Sequence, residues 1–345
     1  MQRTVTTALA IWMVVGSGGC GSDANRDAPD PAADDDDPDA SADAPTTSGC
    51  TAAGGVCTSV AFLASSAEAC DGAAALDESC GDHTFRVCCQ AATRARSATA
   101  TSSAPKLGMP SAAVKFMNAN DMGNHHLGWH MSRRWNDIDA RDQQWLKAQG
   151  WSRAAHQEGE PGNGLEFLAM HRFVLQTLRS LPELKSSRAL FDGWKRVPDP
   201  QDTTMGVGPD SLAQNPTAPG TDPAIPSPLR AVIATCQDDT KTLARFATDD
   251  DFGRFIETSL QQAGAAGAGL HNYLHNRFSS PGSPIDLGDP QKNFKNQVFW
   301  RVHGWIDRCW STYRQLTHKR DDDPAYVAAL AKGAQEMHLP PQTGP

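Results

Sequence analysis

His271 and His275 stand four apart in Leu270-His271-Asn272-Tyr273-Leu274-His275, and His126 and His130 repeat that spacing in Asn124-His125-His126-Leu127-Gly128-Trp129-His130. On a helix, side chains at i and i+4 share a face, with Cβ atoms roughly 5–6 Å apart. Two imidazoles so placed can converge on one metal ion. Each pair has a third histidine downstream of it. His303 falls in the helical stripe Phe299, His303, Ile306, Trp310, Tyr313, and His171 falls in one with Phe167, Leu168, Val174, Leu175 and Leu178. Both imidazoles therefore point where the core residues point. One His-x-x-x-His is a weak signal, usually a polar helix face. Its repetition, each time with a third histidine in an apolar stripe, predicts six imidazoles at the centre of a helical bundle, three per metal.

Imidazole suits copper, zinc, iron and nickel, whereas magnesium and calcium ask for oxygen donors. Di-iron carboxylate bundles use a Glu three residues before a ligand histidine. Here Gly123, Leu127, Leu168, Ala268, Asn272 and Trp300 occupy those positions. The pattern reads as a dinuclear copper centre in preference to a di-iron one.

At these residues the chain resembles a known family. Phe299-Trp300-Arg301-Val302-His303-Gly304-Trp305-Ile306-Asp307-Arg308 is similar to the second copper motif of tyrosinases, catechol oxidases and hemocyanins. Phe167-Leu168-Ala169-Met170-His171-Arg172 resembles their first copper motif, and His271-Asn272-x-x-His275 the other half of the second site. The likeness spans roughly residues 115 to 318 and is most specific in its second-copper half. It implies two copper ions of type 3, a phenolic small molecule and O2 as partners, and oxidation of o-diphenols to quinones, with monophenols or o-aminophenols as further substrates. Ligands expected on this basis are His126, His130, His171, His271, His275 and His303.

The resemblance leaves the first copper open at one ligand. Tyrosinases place a loop ligand nine residues before the histidine of His-Arg, a position held here by Gly162, which has no side chain to offer. His156 lies in the same loop, and His125 is a further spare. The His126/His130 spacing is similar to the arthropod hemocyanin arrangement, and His156 then reads as a solvated loop residue. Asn272 matches the family's water-holding amide. The family's partner for it is a Glu eight to ten residues earlier, and Gln261 stands in the similar frame from Phe255. An amide takes no proton at neutral pH, so the resemblance implies diphenol chemistry more firmly than monophenol hydroxylation. The alternative is an oxygen- or copper-binding surface protein without turnover.

Residues 111–345 are expected to hold this domain: mainly α, a four-helix bundle around the dinuclear site, with long loops. Helical periodicity marks Leu165 to Leu181, Lys241 to Gln262, Asn296 to Leu316 and, outside the site, Pro324 to Met337. Pro198 to Pro228 has no periodicity and reads as an irregular connection, and residues 263–267 as a flexible approach to His271. The large rings near the ligands, Trp129, Trp300, Trp305 and Trp310, read as core packing.

Upstream lie four further pieces. Residues 1–19 have a charged start and a short apolar run, the pattern of a signal peptide, and Gly16-Ser17-Gly18-Gly19-Cys20 resembles a lipoprotein cleavage site with a lipid anchor on Cys20. Residues 20–49 form an acidic tether. Positions 23 to 43 hold nine Asp and one Arg, a balance of −8 out of a net −9, so the remainder is nearly neutral and no basic patch argues for nucleic acid. Residues 50–90 carry Cys50, Cys57, Cys70, Cys80, Cys88 and Cys89, the sign of an exported disulfide module with about fifteen possible connectivities. A small, polar linker follows over 91–110. Cys236 and Cys309 remain in the large domain and can pair if the fold brings them together.

Overall fold

The computed structural model describes residues 49–59, 70, 74–76, 80, 86–90, 107–198, 227–262, 269–278 and 284–340. The signal segment, Cys20, the tether before residue 49, most of the linker, the irregular connection 199–226, the approach at 263–267 and the side chain of Gln261 lie outside the described residues.

The cysteine module begins with one helical turn, α1 (Gly49–Ala52), and has three short strands, β1 (Gly55–Ser59), β2 (Ala75–Leu76) and β3 (Arg86–Gln90). They form an antiparallel sheet in the order β1-β3-β2, with Cys57 opposite Cys88 and Val56 opposite Cys89. The bridges are Cys50–Cys88, Cys57–Cys80 and Cys70–Cys89. Their sulfurs take the place of a large apolar core, which so small a sheet cannot supply. Gly55 sits against them: a Cβ there would stand 2.4 Å from the Cys88 sulfur.

The rest is mainly helical. Helices α2 (Ser111–Ala119) and α3 (Met122–Arg133) are separated by Asp121, which adopts left-handed backbone angles, and α4 (Ala140–Ala148) is capped by the Asp139 carboxylate. Helix α5 (Asn163–Ser180) runs through the core. After it come α6 (Ser227–Gln237), α7 (Asp249–Gln262), α8 (Leu270–Arg277), α9 (Gln297–Leu316) and α10 (Pro324–Glu336).

The expected helix from Lys241 is shorter than its periodicity suggested. Residues 240–245 form a 3-10 turn, and α7 starts only at Asp249. The cause is local: the Thr248 hydroxyl accepts the Asp251 N–H while the Asp251 carboxylate accepts from Thr248, a reciprocal cap that fixes the start. Helix α10 also does more than lie outside the site. It packs along α5, as does α7. Close approach depends on glycine at these crossings: a Cβ at Gly253 would meet the Gly164 carbonyl at 2.1 Å, and one at Gly333 would meet Met170 Cα at 2.9 Å. Trp129, Trp300, Trp305 and Trp310 are all fully buried, as core rings should be.

Candidate metal centre

Four helices bring the six histidines together: α3 carries His126 and His130, α5 His171, α8 His271 and His275, and α9 His303. All six are buried, at 3% exposure or less. Nitrogens of His126, His130 and His171 lie within 4.8 Å of one another, and so do those of His171, His271 and His303. His171 belongs to both groups, and its ring stacks on His303 at 3.9 Å. His275 joins through its Nε2, 3.1 Å from Nε2 of His303.

The way these rings are held decides what they can do. Nδ1 of His126 donates to the Pro290 carbonyl at 3.0 Å, that of His171 to Phe167 at 2.9 Å, and that of His275 to Leu287 at 2.9 Å. Nδ1 of His271 faces the Asn272 amide oxygen at 2.9 Å. Burial keeps the rings neutral, since charging them without water is costly; it lowers His126 to about 3 and His275 to about 4, with the other four also well down. A neutral ring whose Nδ1 carries the proton presents a lone pair at Nε2. The Nε2 atoms of His126 and His171 stand 3.4 Å apart, and those of His126 and His130 3.1 Å apart. For His126 and His171, whose Nδ1 protons both go to carbonyls, two lone pairs face each other at 3.4 Å and repel unless a cation lies between them. Two nitrogens on one ion at ~2.0–2.1 Å, set at tetrahedral angles, would be ~3.3 Å apart. The donor set therefore fits metal ions held by nitrogen, and the rings of His126, His171, His271 and His275 each have the outer hydrogen bond that orients a ligand.

One loop, residues 284–296, serves both groups, because its Leu287 carbonyl orients His275 and its Pro290 carbonyl orients His126. Phe294 of the same loop stacks on His126 at 4.4 Å and is fixed in turn by the Trp300 indole, which donates to its carbonyl. Phe299 and Phe167 complete a dry wall around the imidazoles. A cavity of about 460 Å³ lies between Ser132, Trp151, Arg153, Lys332 and His338, but none of the six histidines lines it.

Behind the first group stands a buried ion network. Arg133 donates to Glu166 at 2.6 Å and to Glu336 of α10 at 3.0 Å, and its guanidinium lies 3.8 Å over the Trp129 ring. The Trp129 indole also donates to Glu336. Arg172, the residue after His171, joins α5 to α9 by its bond to Asp307 and stacks on Trp310.

Behind the second group stand carboxyls that the residue spacing did not reveal. Asn272 donates to Glu158 at 3.2 Å. Burial pushes the Glu158 carboxyl up, while Arg134 and Asn272 oppose that shift. Glu257, one turn before Gln261 in α7, is buried and accepts from Asn163; burial and then the Glu158 charge raise it well above the usual carboxylate range. The Asn272 amide thus bonds a carboxylate in the loop ahead of α5, 114 positions away in the chain. No short-range pattern in the chain links Asn272 to Glu158.

The spare histidines stay outside. His156 is 43% exposed, with Nε2 3.9 Å from Glu166, and its ring packs beside Gly162. His125 stacks on His338 at 4.1 Å. The cysteine module offers no thiolate among Cys50, Cys57 and Cys80, because all three are bridged. Three disulfides mark a protein that matures in an oxidising compartment, and among the described residues no helix is long and apolar enough to cross a membrane. No protein-family model matches this chain, and no curated protein matches it.

Proposed function

We propose that residues 111–345 form a type 3 copper oxidoreductase that oxidises o-diphenols to quinones with O2, each O2 taking four electrons and four protons from two diphenols to give two waters. The observation that carries this reading is the convergence of Nε2 atoms at 3.1–3.4 Å, with the Nδ1 atoms of His126, His171 and His275 tied to backbone carbonyls. His126, His130 and His171 would hold one copper, and His271, His275 and His303 the other. Bound there, the metal pair supplies reversible one-electron chemistry toward O2 and phenols. Neutral imidazoles with no carboxylate among them favour copper over the oxygen-seeking ions.

The protein's own residues handle the protons. Asn272 is held by Glu158 on one side and His271 on the other, so its amide fixes a polar point beside the second site. Glu158 is the group placed to accept a phenolic proton, and its raised affinity for protons brings it nearer the range where a general base works well. This makes monophenols substrates as well, with Asn272 as the positioning residue. The walls of Phe167, Phe294 and Phe299 exclude water from the reacting atoms. An anchor at Cys20 would keep the enzyme on the outer side of a membrane.

Metal analysis of the purified full chain tests the reading, together with catechol oxidation. Two coppers per chain and quinone formation are expected. One metal per chain, or zinc retained in preference to copper with no oxidase activity, would overturn it; two coppers without turnover would leave the non-catalytic binding protein.

A further inference from the structure

Cys236 closes α6 and Cys309 lies in the middle of α9, and both are buried, at 4% and 3% exposure. In the structure they are unlinked thiols. The Cys309 sulfur lies 3.6 Å from the Cys236 carbonyl, and the two thiols are in hydrogen-bond contact with each other. The six cysteines of the N-terminal module are all bridged, so this chain passes through a compartment where adjacent thiols are oxidised.

We propose that Cys236 and Cys309 are a fourth cross-linking site, joined in the mature protein by thiol–disulfide exchange with a disulfide-carrying oxidant. One thiolate attacks the oxidant's disulfide to give a mixed disulfide. The second then displaces the oxidant, which leaves as a dithiol carrying the two electrons and two protons that the cysteines lose. The exchange belongs to folding, before α6 closes on α9. Once they are packed, burial raises the Cys236 thiol well above its ordinary range, so the thiolate that exchange needs is scarce.

The site matters for what the bond encloses. Cys236 and Cys309 are 73 positions apart, and His271, His275, His303 and the orienting carbonyls of Leu287 and Pro290 all lie between them. One covalent loop would hold the whole second histidine set and the segment that aligns one ring of the first. The constraint acts mainly by removing freedom from the unfolded chain, and it grows with loop length.

The test is peptide mapping of the full chain, made in an exporting host, alkylated under denaturing conditions without reductant. A linked peptide containing Cys236 and Cys309, with neither residue alkylated, is expected. Recovery of both as alkylated thiols would overturn the proposal. The double variant Cys236→Ala with Cys309→Ala gives a second measurement under non-reducing conditions, where the thermal midpoint should fall by about 5–10 °C. Should the variant fail to fold, the map of the natural chain still decides.

Discussion

The two histidine sets are alike in their buried imidazoles and different behind them. His126 and His130 are backed by charges that are fully paired, with Arg133 bound to Glu166 and Glu336 and stacked on Trp129. His271 is backed by an amide and by carboxyls whose proton affinity is raised, Glu158 and Glu257. Paired buried charges make a rigid support, because removing one leaves its partner stranded in a medium that solvates it poorly. Carboxyls that burial pushes toward neutrality make a place to put a proton. In the proposed oxidase the two sides would divide the work, with one fixed and the other taking part in acid–base steps.

Five variants or conditions probe this difference, beginning with the one that should erase it. His171 stands in both nitrogen groups, so His171→Ala should lower copper from two per chain to one or fewer and remove oxidase activity. His156→Ala, at an exposed loop position, should keep both coppers. Metal analysis of the two variants checks the assignment, and loss of a copper from His156→Ala would restore the loop-ligand arrangement.

Acid should act next most strongly, and most clearly after chelation. The folded-state values of His126 and His275, about 3 and about 4, lie below the value of ~6.5 that unfolded histidines have. Above pH ~6.5 these histidines are neutral in both states and their contribution to stability is flat. Below it the unfolded chain binds protons that the folded chain refuses, so stability is lost as pH falls, at up to ~1.4 kcal/mol per histidine per pH unit. Denaturant melts of the chelated protein at pH 7.5 and 5.5 should show a large drop in midpoint, and a flat profile would contradict the buried, neutral rings.

Glu158→Gln sharpens the comparison on the second side. It keeps the size of the side chain and removes the base, so monophenol turnover should fall by about 10²–10⁴-fold while catechol oxidation changes far less. Equal losses on the two substrates would assign Glu158 a structural role only. Arg133→Ala makes the matching change on the first side and should cost about 1–3 kcal/mol of stability, because Glu166 and Glu336 keep only the part-exposed Lys332 as their cation. Its ratio of monophenol to diphenol rates should stay near that of the natural chain.

Much of the centre was legible at short range. The four-residue spacing of His126/His130 and His271/His275 needs only a helix to bring each pair to one face, and His171 and His303 needed only their apolar stripes. The structure buries all six. The bounds of α5, α9 and α10 agree with the periodicity within one or two residues, since caps such as Asn296 and Asp323 are local signals. The start of α7 was misjudged because the run from Lys241 is helical in pattern, but the cap at Thr248 overrides it.

Other features depend on residues far apart in the chain. Glu158 meets Asn272, Pro290 orients His126, and Glu336 braces Trp129 and Arg133, at separations for which no periodicity exists. The three bridges of the cysteine module are likewise one choice among many that the spacing allows. The sequence by itself determined which imidazoles share a helix face and which cysteines crowd one short segment, because both follow from neighbours within a turn or a strand. Only the tertiary structure decided that His171 stands between the two groups, which carbonyl holds each ring, and which carboxylate faces Asn272, because those contacts exist only once separate helices and the loop at 284–296 have packed.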